Sequence, residues 1–138
     1  MANTATIPTS TKQAWQNRAT PTTDTYKLAL YTSAGTLGAG STVYTTSGEV
    51  TGTNYTAGGI TLTGATVSTS GTLAYIDFAD ATFVNVTFTG ATHALIYNTS
   101  KSNEIVAIVA LDATYSPTAQ NLQITMPAPG ATAVVRIS

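Results

Sequence analysis

The chain contains little of what most catalytic and metal sites require. Its 138 residues include no cysteine, one histidine, and only 5 basic and 6 acidic side chains. Without cysteine there is neither a disulfide framework nor a metal site built on thiolates. A formal net charge of -1 provides no general electrostatic attraction for nucleic acid or for an anionic membrane. We therefore expect neither of these as a partner.

Long apolar runs are also missing. The longest, Ile105 to Leu111, is far shorter than the roughly 20 residues that span a bilayer, and its length suits a strand. Because the segment from Glu104 to Asp112 is almost continuously apolar, we expect this strand to be buried on both faces. The first residues, Met1 to Thr4, show neither the basic nor the apolar region of a secretory signal. We therefore expect synthesis and folding in a cytoplasm.

Small and β-branched residues dominate the composition. The chain has 30 Thr, 21 Ala, 11 Gly and 10 Ser, which argues against helical bundles and coiled coils. From Thr25 onward, short segments of alternating polarity are separated by turns rich in Gly and Pro. Tyr26, Leu28 and Leu30, for example, share one face of the first segment. About 8–9 such strands predict an all-β fold, an antiparallel β-sandwich of the jelly-roll or immunoglobulin-like type.

Residues 1–23 differ from the rest of the chain because they have no apolar periodicity. They contain Pro8 and Pro21 and are rich in threonine. This composition predicts an extended N-terminal arm that precedes a β-sandwich domain at residues 24–138.

The arm carries the only tryptophan, Trp15, together with the basic residues Lys12 and Arg18. Tryptophan and arginine are residue types that dominate protein interfaces. We therefore predict Trp15, Arg18 and Lys12 as contacts to a partner. The alternative, that Trp15 folds back onto its own sandwich, stays open.

Candidate catalytic groups are few. Asp77 and Asp80 are close enough to share a cation or to act as paired carboxylates, but an aspartate that caps a turn is the favoured interpretation. His93 precedes an apolar strand, and no Gly-x-Ser-x-Gly nucleophile motif is present. The glycine-rich stretches at 35–40 and 48–59 lack the lysine and the helix of phosphate-binding loops. We predict no catalytic residue, no cofactor and no metal site, and therefore no enzyme.

The seven tyrosines raise the question of a sugar-binding surface, because aromatic faces stack on sugars. Three lie in predicted strands and are expected in the core: Tyr26, Tyr75 and Tyr97. Three others lie near turns and are the better candidates for such a surface: Tyr44, Tyr55 and Tyr115.

One family resemblance rests on residues 24–33 (DTYKLALYTS), residues 49–59 (EVTGTNYTAGG), residues 94–98 (ALIYN) and the last apolar segment, which ends near Arg136-Ile137. This pattern resembles a widespread group of small virion proteins of tailed bacteriophages, usually encoded among the head genes. Some of these are capsid decoration, or cement, proteins. The resemblance extends from Asp24 to the C-terminus, and its most specific part is Glu-Val-x-Gly-x-x-Tyr-x-x-Gly-Gly.

The resemblance implies a protein that binds the outer surface of an assembled capsid and stabilises the shell. The implied partner is the major capsid protein, and the implied location is the virion. Decoration proteins often sit at local symmetry axes, so a homo-oligomer is expected, with a trimer favoured over a dimer. No catalytic residue is carried over from the family.

The same resemblance implies structural roles in the glycine-rich loop. Glu49 is expected to accept backbone N–H groups within the loop, and Tyr55 is expected to hold the loop against the sheet. Gly52, Gly58 and Gly59 would supply the backbone conformations that the loop needs.

Two other functions stay open. The first is a head-fibre, tail or baseplate β-domain that binds a host-surface glycan through a tyrosine-lined face. The second is a free carbohydrate-binding module, or a small glycosidase that uses Asp77 and Asp80. A fibre usually has long repeats or a coiled-coil shaft, and this sequence has neither, which favours decoration.

Overall fold

The computed structural model describes residues 3–35, 37–38, 40–126, 133 and 135–137. Within these ranges the chain forms antiparallel sheets and one short α-helix, which confirms the predicted all-β sandwich. The elements in chain order are α1 (Thr9–Ala19), β1 (Tyr26–Thr32), β2 (Ile60–Thr61), β3 (Thr66–Ser70), β4 (Leu73–Asp77), β5 (Ala81–Val86), β6 (Ala91–Asn98), a 3-10 turn (Thr99–Lys101), β7 (Glu104–Tyr115), β8 (Gln120–Ile124) and β9 (Val135–Ile137).

The strands form three open sheets. The largest has the order β2-β1-β6-β7, and the two smaller sheets have the orders β3-β4-β9 and β5-β8. Every paired neighbour runs antiparallel. The break between β2 and β3 falls at Gly64, whose φ of 68° belongs to the left-handed region that favours glycine.

The main core lies between the four-stranded sheet and the two smaller sheets. Leu28 and Leu30 of β1, Ile96 of β6 and Ile76 of β4 are fully buried there. Inward positions alternate along β1, as a period of two predicts. Each fully buried Leu or Ile contributes roughly 1.5–3 kcal/mol relative to its exposure to water, so these strands form the rigid base for the loops.

The opposite face of the four-stranded sheet is apolar as well. Ala29 and Tyr31 of β1 and Leu95 and Tyr97 of β6 form a second buried cluster. The long connection between β1 and β2 covers this cluster, and its residue Tyr44 packs directly against it. The central strands β1 and β6 are therefore buried on both faces, which is the pattern of strands covered from two sides.

The expected double burial of the segment from Glu104 to Asp112 is wrong. These residues belong to β7, which is the outermost strand of its sheet, and most of its apolar side chains are only half-buried. Ala110 is exposed. An apolar run predicts a strand, but it does not reveal the order of strands in a sheet, and that order decides which strand is covered.

The expected extended conformation of the N-terminal arm is also wrong for Thr9–Ala19, which form helix α1. The helix begins after Pro8, and a proline is well tolerated at a helix start because its missing N–H would have no helical partner there. The residues that α1 buries are Lys12 and Gln16. Because these are polar, the sequence shows no apolar period of 3.6 from which the helix could be predicted. No helix within the described ranges is long and apolar enough to cross a bilayer.

Candidate functional site

The most tightly connected polar group lies in residues 40–59, here called the Glu49 loop. Oε1 of Glu49 accepts hydrogen bonds from the hydroxyl of Tyr55 and from the N–H of Gly58, both at 2.7 Å. Oε2 accepts from the hydroxyl of Tyr44 at 2.6 Å. The hydroxyl oxygen of Tyr55 in turn accepts from the N–H of Leu30 in β1 at 2.9 Å. One carboxylate thus joins three points of the loop and, through Tyr55, the central sheet.

The electrostatics of this group favour neutral phenols. Burial raises the pKa of Tyr55 well above its usual range; the hydrogen bond from Leu30 opposes the shift, and the hydrogen bond to Glu49 adds to it. Burial, followed by the hydrogen bond to Glu49, also raises the pKa of Tyr44. Both hydroxyls therefore remain protonated donors, and both carboxylate oxygens are engaged. The arrangement holds the loop in place and presents no free acid or base.

The loop also needs glycine at specific positions. Gly59 has a φ of 79°, and a Cβ there would overlap the carbonyl oxygen of Leu28. Gly52 lies so close to the carbonyl oxygen of Thr87 that a Cβ would overlap it too. The structure therefore brings Glu49, Tyr55 and Gly58 into one hydrogen-bonded group. Gly52 and Gly59 allow the loop backbone to approach the carbonyl oxygens of Thr87 and Leu28 closely.

The predicted partner contacts all lie on α1. Lys12 is 9% exposed, and its Nζ donates to the carbonyl oxygen of Thr72 in the β3–β4 turn at 2.7 Å. It therefore attaches the helix to its own sheet and is not free for a partner in this conformation. Trp15 is 42% exposed, and Arg18 is exposed as well. Because residues three apart lie on neighbouring positions of a helix, Trp15 and Arg18 form one exposed patch, here called the α1 surface.

The C-terminal end of α1 is held by a lysine. Nζ of Lys101 donates to the carbonyl oxygens of Arg18 and Ala19 at 2.9 and 3.0 Å. The last carbonyl groups of a helix lack helical donors and carry partial negative charge, so a cation is well placed there. The C-terminal end of α1 is therefore attached to a residue that lies 83 positions after Arg18 and 82 positions after Ala19 in the sequence.

The remaining candidates for chemistry do not form a common site, and Asp80 bonds to a distant backbone N–H instead of capping its own turn. Oδ1 of Asp80 accepts from the N–H of Met126 at 2.7 Å, and Oγ1 of Thr92 lies 2.8 Å from Nδ1 of His93. Oδ1 of Asp77 is buried without a hydrogen-bond partner among the residues described. Across the same part of the chain, no group of three or more His, Asp or Glu side chains is placed to hold a metal ion.

Two of the three tyrosines expected at the surface pack inward. The ring of Tyr44 stacks on Tyr97 with centroids 4.7 Å apart, and the ring of Tyr55 stacks on Phe83 at 5.7 Å. The hydroxyl of Tyr115 donates to Asp112. A sugar-binding face needs aromatic faces that are open to solvent, and these two rings already contact other rings. Of the tyrosines expected in the core, Tyr26 and Tyr97 are buried there, whereas Tyr75 is only half-buried.

A shallow groove of about 300 Å³ lies between β7 and β8, a feature that the sequence did not indicate. Its apolar wall includes Val109, Leu111 and Ile124. The regular pairing of β7 with β6 is interrupted on either side of the stretch from Ala107 to Ala110. The ladder between β7 and β6 is therefore irregular, and such irregularities are common in strands at sheet edges.

Comparison of the chain with protein-family models, with curated proteins and with solved structures finds no match.

Proposed function

We propose that the chain is a capsid decoration protein, which binds the outside of an assembled tailed-bacteriophage shell and stabilises it. The observation that carries the proposal is the exposed Trp15, which lies beside Arg18 on α1. The most specific motif of the chain, by contrast, forms hydrogen bonds within its own loop through Glu49. Trp15 presents 42% of its surface to solvent on a polar helix, and tryptophan is well suited to fill a pocket on a partner.

The stabilising effect follows from mass action. A protein that binds the assembled shell but not the free subunits lowers the free energy of the shell; at a free concentration of 100 times Kd the effect is about 2.7 kcal/mol per site. Weak contacts become strong when a homo-oligomer engages several sites of the lattice together. The proposed partner is therefore the major capsid protein, with further copies of the chain as neighbours on the virion surface.

The low charge of the chain suits this role. With 5 basic and 6 acidic residues, the surface offers few groups whose desolvation would oppose close packing against capsid subunits. The Glu49 loop contributes rigidity, because its partly buried carboxylate, its phenols and its backbone N–H groups satisfy one another. A rigid partner loses less conformational entropy on binding.

Binding to purified capsids that lack the protein tests the proposal. In a co-sedimentation titration, Trp15→Ala should weaken binding about 30-fold, the effect of an interface residue that contributes about 2 kcal/mol. Val84→Ala is the matched control, because Val84 is a large apolar residue on β5 that is 64% exposed. Equal binding of Trp15→Ala and the unmodified chain would exclude the α1 surface as the contact.

Copy number separates decoration from the fibre alternative. Quantitative mass spectrometry of virions should give a count comparable to that of the major capsid protein if the shell is decorated. A few copies per particle would favour a fibre, tail or baseplate protein, and glycan binding would then be the function to test.

A further inference from the structure

The side of α1 that faces the sandwich consists of polar side chains. Lys12, Gln16 and Thr20 recur every four residues and are 9%, 1% and 5% exposed, whereas Trp15 is 42% exposed. A helix that docks stably on a sheet normally buries an apolar stripe at this spacing and exposes its polar residues. In α1 this distribution is reversed: the positions buried at this spacing are polar, and Trp15 is the most exposed of the four side chains.

The interface beneath α1 also contains unsatisfied acceptors. The helix packs on β4, with smaller contacts to β3 and β9. Ile76 of β4 points into the main core, so its neighbour Asp77 faces the opposite side of the sheet, where α1 lies. Oε1 of Gln16 and Oδ1 of Asp77 are both buried and have no hydrogen-bond partner in the described part of the chain. Each buried acceptor without a donor has lost its hydrogen bonds to water without replacement, which opposes docking.

Few contacts offset this cost. Lys12 donates to Thr72, and Lys101 donates to the carbonyl oxygens of Arg18 and Ala19. The first turn of α1 has no hydrogen bond from a capping side chain. A helix of 11 residues is shorter than the roughly 12–15 residues at which isolated helices become even marginally stable in water. Helix α1 therefore depends on its docked position for its structure.

We propose that α1 is a releasable element: residues 9–20 leave the β3-β4-β9 sheet and lose their helical structure together, while the sandwich stays folded. Release frees Nζ of Lys12, so that all three basic and aromatic side chains of the segment become available to a partner. It also returns the buried oxygens of Gln16 and Asp77 to water. Release is a property of the isolated chain and does not require a capsid.

Hydrogen–deuterium exchange on the full chain tests the proposal. Amides of residues 13–20 should exchange at least about 100-fold faster than amides of β6, the central strand, as expected for a segment that opens locally. Their rates should be insensitive to concentrations of urea that leave the sandwich folded, because local opening exposes little surface. Protection in α1 equal to that in β6 would overturn the proposal.

Two substitutions should move the exchange of α1 in opposite directions. Gln16→Leu should slow it about 10-fold, because it removes a buried unpartnered oxygen and adds apolar contact. Lys101→Met should speed it about 10-fold, because two helix carbonyls lose their donor. Lys27→Met is the matched control, since it makes the same change of charge on β1, near Gly58. Faster exchange in Gln16→Leu, or no change in Lys101→Met, would contradict the proposed origin of the release.

Discussion

The hydroxyl of Tyr55 donates a hydrogen bond to Oε1 of Glu49 at 2.7 Å. The oxygen of this Tyr55 hydroxyl also accepts from the N–H of Leu30 in β1, so one side chain connects the Glu49 loop to the central sheet. The ring of Tyr55 packs on Phe83 of the main core, which fixes the position of its hydroxyl. A single phenol therefore accepts a hydrogen bond from a strand N–H and donates one to a partly buried carboxylate.

Removal of that hydroxyl should destabilise the fold. Tyr55→Phe leaves the N–H of Leu30 without an acceptor and Oε1 of Glu49 short of one donor, so we expect the free energy of unfolding to fall by about 2 kcal/mol. Urea titration measures the change. Tyr75→Phe is the matched control, because the hydroxyl of this half-buried residue makes no hydrogen bond within the described ranges. Equal losses in the two variants would show that the Glu49 contact does not matter for stability.

Alkaline pH should unfold the protein because its phenols are buried in the neutral form. Burial, and to a lesser degree the charge of Asp24, raises the pKa of Tyr26 from 10.0 to about 12. Between these values the folded state keeps a proton that the unfolded chain has lost. Stability is therefore complete below pH 10 and falls as the pH rises toward 12.

Urea titrations at about pH 8 and about pH 11, on either side of the tyrosine pKa in unfolded chains, measure this effect. Tyr26→Phe should lose less stability between the two conditions than the unmodified chain does. The same fall in both proteins would mean that Tyr26 does not contribute, and no fall in either would contradict the burial of the phenols as the cause.

The close approach of the Glu49 loop to the strand end at Thr87 should make Gly52 intolerant of a side chain. In Gly52→Ala the new Cβ overlaps the carbonyl oxygen of Thr87, so the loop or the strand end must move, and we expect a loss of about 2–4 kcal/mol. Thermal unfolding and urea titration both report this loss. Gly38→Ala is the control, because a Cβ at Gly38 meets nothing within 4 Å. A Gly52→Ala variant as stable as that control would contradict the contact.

Part of this architecture could be predicted from the sequence. Alternation identified the inward face of β1 at Tyr26, Leu28 and Leu30, because side-chain direction in a strand has a period of two. The Glu-Val-x-Gly-x-x-Tyr-x-x-Gly-Gly element directed attention to Glu49, since a carboxylate in a glycine-rich loop meets exposed backbone N–H groups. The hydrogen bond from Tyr44 to Glu49 had no comparable signal, because the two residues lie five positions apart in a loop whose path no regular period predicts.

Other features depend on tertiary arrangement that a single sequence does not contain. The placement of β7 at an edge follows from strand order, and its apolar composition gave the opposite expectation. Helix α1 is specified by distant groups, Thr72 and Lys101, and not by an apolar stripe of its own. For the same reason, the sequence did not show that Lys12 contacts its own sheet, and Lys12 was predicted as a partner contact together with Trp15 and Arg18.

Asp80 should prove structural and not catalytic. Its Oδ1 accepts from the N–H of Met126, so Asp80→Ala should lower the free energy of unfolding by about 1 kcal/mol, while Asp80→Asn, which keeps an acceptor oxygen, should retain most of the stability. Neither substitution should change capsid binding once the variants are compared well below their unfolding temperatures. A stable Asp80→Asn variant that loses binding selectively would instead show that the carboxylate charge acts on a ligand, and would return the pair with Asp77 to consideration as a site.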